Sequence, residues 1–168
     1  MATLLVPCDG SPSALLAVRQ AIGEYLQGEA RHIHLLNVQP PFSRNVNHYI
    51  ERTLRDDFQR ERADEELAAA RAMFHAAGVP FAEHLQIGET VRSIVDVAQQ
   101  LHCDRVLIGT ARKSALVRAV EHSLTNQLLE SCPVPVEVIG GPPAPLIERV
   151  GIPAGLGAGL ALLLASQA

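Results

Sequence analysis

Tryptophan is absent from this 168-residue sequence, and basic charge is not in excess: 14 Lys and Arg stand against 18 Asp and Glu, a net charge of -4. A chain so balanced offers no electrostatic footprint for DNA or RNA. Without an indole, a flavin or electron-transfer reading also lacks its usual stacking platform. Cysteine is sparse, and Cys8, Cys103 and Cys132 lie far apart, form no C-x-x-C pair and would leave one thiol over if two were joined. A reducing, cytoplasmic setting is therefore expected. Met1-Ala2-Thr3 runs directly into Leu4-Leu5-Val6, without the basic stretch and small-residue cleavage site of a signal peptide. No G-x-S-x-G elbow, H-E-x-x-H, Walker A pattern or recognisable Cys-His pair occurs. The chain is read as a binding or regulatory protein and not an enzyme, with slow ATP hydrolysis left open should ATP bind. His32 and His34 would share one face of a strand, but no third ligand stands at a recognisable spacing, so no metal is assigned.

Hydrophobic residues make up 48% and charged residues 19%, enough apolar surface for one globular core at this length. Thr3 to Val6 is a short apolar run ending at Pro7-Cys8-Asp9-Gly10. Ser11 and Pro12 then introduce a helical pattern through Leu15, Leu16, Val18, Ile22 and Leu26, closed by Gly28. Ser11 suits an N-cap, and Pro12 the first helical position, where its missing N–H is not needed. His32 to Val38 reads as a second strand that stops at Pro40-Pro41. A helix rich in Arg, Glu and Ala follows from about Ile50 to Ala77, its intermixed charges marking a solvated face, until Gly78 and Pro80 end it.

The second half repeats the alternation: strand Phe81 to Ile87, helix Val91 to Leu101, strand Arg105 to Gly109, a loop, helix Ser123 to Glu130, strand Val134 to Ile139. Strands alternating with helices in this way predict an α/β fold, a doubly wound, mostly parallel sheet with helices on both faces. The continuous run Val106-Leu107-Ile108 suits a strand covered on both sides. Pro133 and Pro135 place the last strand at an edge, where Val134, Val136 and Val138 need a cover. The same strand of a second subunit would supply one and make a two-fold homodimer; the C-terminal tail is the alternative cover.

Leu4-Leu5-Val6-Pro7-Cys8-Asp9-Gly10-Ser11-Pro12-Ser13-Ala14 resembles the opening of universal stress protein domains. The resemblance extends through Gly78-Val79-Pro80, Gly88-Glu89, Ile108-Gly109-Thr110, the segment Ser114 to Ser123 and Cys132-Pro133-Val134-Pro135-Val136, and covers residues 2 to 140. It implies a flavodoxin-like sheet of order 3-2-1-4-5, related to adenine nucleotide alpha hydrolases, together with dimerisation and a stress-response role. In such a sheet the strand order reverses between strands 1 and 4, which would gather Pro7, Asp9, Val38 and Gly109 around one crevice. Many members of the family bind ATP through Gly-x2-Gly-x9-Gly-Ser/Thr after the fourth strand, with the early aspartate on the adenosine. Here Asp9, Gly109 and Ser123 are kept, but Arg112 and His122 stand where the second and third glycines would be. Side chains there obstruct the close backbone approach that phosphate binding uses, while Arg112 and Lys113 offer charge in its place.

The resemblance therefore implies first a regulatory, partner-binding homodimer with a degraded nucleotide crevice, its loop contacting unidentified protein partners. The alternative is an ATP sensor or slow ATPase using Arg112, Lys113, His122 and Ser123. Asp9 has a plainer use, binding backbone N–H groups in its own turn. Cys8 reads either as a small core residue or as a redox-sensitive thiol.

Past residue 140 the chain departs from the family. Residues 141–149 are a Gly/Pro-rich linker, and residues 150–168 form an apolar Gly/Ala/Leu tail. The tail is slightly short for a spanning helix, contains Pro153 and lacks a basic flank, so docking on the dimer or a partner is expected over a membrane-associated adaptor.

Overall fold

Leu4, Leu5 and Val6 are all fully buried, the pattern of a strand with helices on both sides. In the computed structural model, which describes residues 1–42, 52–110 and 124–141, they lie in β1 (Ala2–Pro7), at the centre of a five-stranded sheet. The further elements are α1 (Ala14–Leu26), β2 (Ala30–Gln39), α2 (Arg52–Ala77), β3 (Ala82–Ile87), α3 (Thr90–Gln100), β4 (Arg105–Thr110), α4 (helical residues 124–131) and β5 (Val136–Gly140). The strand order is β3-β2-β1-β4-β5 and every neighbouring pair is parallel. The sheet is thus the doubly wound α/β arrangement that the alternating elements predict.

Alternation along the strands divides the core in two. Leu4, Val6, Ile33, Leu35 and Leu107 pack with α1 and with Leu67, Ala70 and Phe74 of α2. On the other face Leu5, Leu36, Val106 and Ile108 pack with Val91, Ile94, Val97 and Ala98 of α3 and Leu128 of α4. Glu89 fixes the start of α3, its carboxylate accepting from the backbone N–H of Val91 at 3.0 Å and of Arg92 at 2.7 Å.

Every strand differs from its predicted bounds by one or two residues at one end or both, and at two of these ends packing is the reason. Phe81 precedes β3 and stacks on the buried Phe74 with ring centroids 4.5 Å apart. Val134 precedes β5 and is partly buried against the α3–α4 face together with Cys132 and Val136, so its apolar character serves its own core. Of the valines assigned to the dimer edge, Val136 and Val138 are in the strand, and Val138 is 41% exposed.

Candidate functional site

Connections from β1 lead to β2 and β3 on one side of the sheet, whereas β4 and β5 extend it on the other. Loops leaving the carboxyl ends of β1 and β4 consequently diverge, and a crevice opens between them. A cavity of about 250 Å³ occupies it. Its walls are Pro7, Cys8 and Asp9 after β1, Leu36 and Val38 of β2, and Ile108, Gly109 and Thr110 of β4. The first residues of α1, Thr90 and Ile94 of α3, and Leu124 and Thr125 of α4 complete them. The residues predicted to converge, Pro7, Asp9, Val38 and Gly109, all line this one cavity. Arg112, Lys113, His122 and Ser123 lie outside the described residues.

Asp9 is exposed, and its Oδ1 accepts from the backbone N–H of Ser11 at 3.0 Å. Ser11 passes the order on: its Oγ accepts from the N–H of Ala14 at 3.1 Å and its carbonyl from that of Leu15 at 3.1 Å. Regular helix begins at Ala14 with Ser13, which makes no side-chain cap bond, at the N-cap position, so Ser11, expected as the cap, stands two residues earlier and binds the Ala14 N–H from the preceding turn. The plainer role for Asp9 uses one carboxylate oxygen, and Oδ2 has no hydrogen-bond partner among the described residues.

Two glycines hold this turn in place through close backbone contact. Gly10 has φ +76, and a Cβ on it would stand 2.8 Å from the Glu66 carbonyl oxygen of α2. A Cβ on Gly109 would come within 1.7 Å of the Ser13 carbonyl oxygen, so the end of β4 carries the start of α1 directly on its backbone. Packing alone requires glycine at 109, whatever the ligand.

Behind the turn lies a polar network that the sequence analysis did not find. Asn37 and Gln39 are buried. Asn37 Nδ2 donates to the Cys8 carbonyl at 2.9 Å and to Glu66 Oε2 at 2.8 Å. Gln39 Nε2 donates to Asn37 Oδ1 at 2.7 Å and to Glu66 Oε2 at 2.9 Å, while Arg62 Nε donates to Glu66 Oε1 at 3.1 Å. A buried amide left without such partners would cost about 1–3 kcal/mol, and the network removes that penalty. The signal in the sequence was two amides at i and i+2 inside the otherwise apolar Leu35-Leu36-Asn37-Val38-Gln39.

Cys8 is 4% exposed. Burial pushes its thiol up from the ordinary value, against a smaller opposing effect of the Gly10 N–H, so the thiol stays protonated at neutral pH. This is the core cysteine of the two readings, because a redox sensor needs an accessible thiolate.

Among the described residues the crevice thus joins apolar walls, hydroxyls of Ser11, Ser13, Thr90, Thr110 and Thr125, and a single carboxylate, that of Asp9. Such a surface can sandwich a flat apolar ring and accept hydrogen bonds from hydroxyl groups beside it. Among the described residues no three His, Cys, Asp or Glu side chains are arranged to hold a metal ion, and no helix is long and apolar enough to cross a membrane.

Known proteins share both sequence and fold with this chain. A universal stress protein of Methanocaldococcus jannaschii is 25% identical over 141 residues, 83% of this chain and 82% of that protein. The crystal structure of a universal stress protein family member from Burkholderia pseudomallei superposes with a TM-score of 0.63 at 22% identity, covering 82% of this chain and 95% of that one. The Archaeoglobus fulgidus universal stress protein in complex with dAMP gives a TM-score of 0.59 at 20% identity, covering 83% and 98%. The sequence model of the Universal stress protein family matches residues 1–140, from the first residue before β1 to the last residue of β5. With that match spanning the whole described sheet, the chain belongs to the universal stress protein family.

Proposed function

We propose that this chain is a regulatory protein that binds an adenine nucleotide and acts as a homodimer on protein partners in the cytoplasm. The observation that carries the reading is the convergence of Asp9, Val38 and Gly109 on one cavity with apolar walls, where among the described residues Asp9 is the one carboxylate and its Oδ2 has no hydrogen-bond partner. Ring-stacking walls beside a lone acceptor suit the nucleoside end of the ligand, with Asp9 taking a ribose hydroxyl. The relative solved with dAMP supports a mononucleotide. So does the loop sequence: Arg112 and His122 replace glycines that would cradle a longer phosphate chain, and an arginine fork suits a single terminal phosphate. The assignment is to binding and not to catalysis.

A second reading keeps the dimer and its partners and gives the crevice no nucleotide. The same Arg112 and His122 favour it, since a side chain in place of either family glycine would obstruct close backbone approach to a phosphate.

Mass spectrometry of nucleotide released from purified protein, followed by calorimetric titration with AMP, cAMP and Mg-ATP, separates the two. The first reading expects AMP to bind more tightly than ATP, and Asp9→Ala to weaken it at least tenfold, about 1.4 kcal/mol. No released nucleotide and no heat with any of the three would retire it in favour of the second.

A further inference from the structure

Away from the crevice lining, the β2–β3 corner of the sheet gathers histidines on one face. From His32 onward, past the register shift beside Ala30, even-numbered residues of β2 point to the α3 side, where Leu36 is core; His34 is half-buried and His32 exposed. His84 of β3 stands opposite Leu36 in the parallel register and so shares that face. His34 Nδ1 and His84 Nε2 lie 3.0 Å apart, with ring centroids 5.1 Å apart and planes tilted by 53°.

We propose that His34 and His84 form an open chelating site for a late first-row divalent metal ion, Zn²⁺, Ni²⁺ or Cu²⁺. Two imidazole nitrogens bound to one tetrahedral zinc at the usual Zn–N length stand about 3.3–3.4 Å apart. Opening the observed 3.0 Å pair by a few tenths of an ångström therefore converts a hydrogen bond into a chelate. Both residues sit on strands locked together by continuous pairing from His34↔Ala82 to Gln39↔Ile87, so the backbone is already in place and only ring torsions move.

Burial lowers the affinity of both imidazoles for a proton, and for His34 the neighbouring His84 and His32 add to the effect. Neutral imidazole is the form that ligates metal. His32 lies one pleat from His34 on the same face, within its electrostatic reach. Glu83, the carboxylate next in sequence to His84, points to the opposite face, where Arg71 holds both of its oxygens at 2.7 Å. Nitrogen donors without a carboxylate select the later transition metals over Mg²⁺ and Ca²⁺, which require oxygen. The pair supplies two ligands, and water fills the remaining positions.

The test uses the full chain after removal of metal with a chelator, titrated calorimetrically with Zn²⁺ and Ni²⁺ and, for coordination, examined by electron paramagnetic resonance with Cu²⁺. The expected result is saturable binding at one ion per chain with nitrogen hyperfine structure on copper, no response to Mg²⁺, and at least tenfold weaker binding in His34→Gln and in His84→Gln. His102→Asn, in a turn at φ 51 that asparagine tolerates, is the control and keeps full binding. Absence of saturable binding in the parent chain, or equal affinity in a folded His84→Gln, overturns the proposal. Asp9→Ala leaves this binding unchanged, so failure here and failure of the nucleotide reading are distinguishable.

Discussion

β3 and β5 both terminate the sheet, but they are finished in opposite ways. β3 mixes polar Glu83, His84 and Gln86 with apolar Ala82, Leu85 and the 47% exposed Ile87, and Glu83 is clamped by Arg71, which also holds Asp64 at 2.6 Å. Charged and polar side chains along an edge strand disfavour pairing with another chain. β5 carries one charge, Glu137, and Arg105 takes it at 2.7 Å while also holding the buried Glu24. With its charge turned to a partner inside the subunit, β5 presents the exposed Val138, while Val136 is partly buried against its own core. An edge with its one charge paired within the subunit and Val138 outward can take a cover, which is the physical support for the proposed dimer.

The largest expected effect comes from the seam where the two halves of the sheet meet. Gly109→Ala forces a methyl group into the Ser13 carbonyl and is expected to lower the unfolding free energy by roughly 3 kcal/mol, read from urea denaturation. In contrast, Gly23→Ala in α1, where a Cβ meets nothing within 4 Å, should raise it by about 1 kcal/mol. If both changed stability alike, the close approach would not be what demands glycine at 109.

Next in size is the contrast between the edges. Val138→Lys should convert the dimer to monomer in light scattering, whereas Gln86→Lys on β3 leaves the mass unchanged. Monomeric parent protein, or a dimer broken only from the β3 side, would reverse the assignment of the two edges. Smallest is the clamp itself: Arg71→Ala is expected to cost about 0.5–1 kcal/mol, as partly exposed ion pairs do, with the difference shrinking in high salt. A salt-independent loss would point to the packing of the arginine stem and not to its charge.

Strands β1, β2 and β4 were legible because continuous apolar runs end at turn residues, and their carboxyl ends then located Pro7, Asp9, Val38 and Gly109 in the crevice. Phe81 and Val134 misled because an apolar residue beside a strand looks like one within it. What could not be read were contacts that exist only after assembly. Glu66 meets Asn37 across 29 residues of chain once α2 lies over the sheet, and His84 finds His34 only through strand register. Neither pairing leaves a local pattern.

The Glu66 network has a further consequence, for how α2 is seated. The helix buries Gln59, Ala63, Leu67, Ala70 and Phe74, a row in which small residues recur at similar spacing. Apolar contact along such a row changes little if the helix slides by one turn, about 5.4 Å. A carboxylate that must meet two buried amides tolerates no such shift, because every other position strands the amides without an acceptor. Glu66 works as a dowel, and the long charged helix can seat on the sheet in one position only.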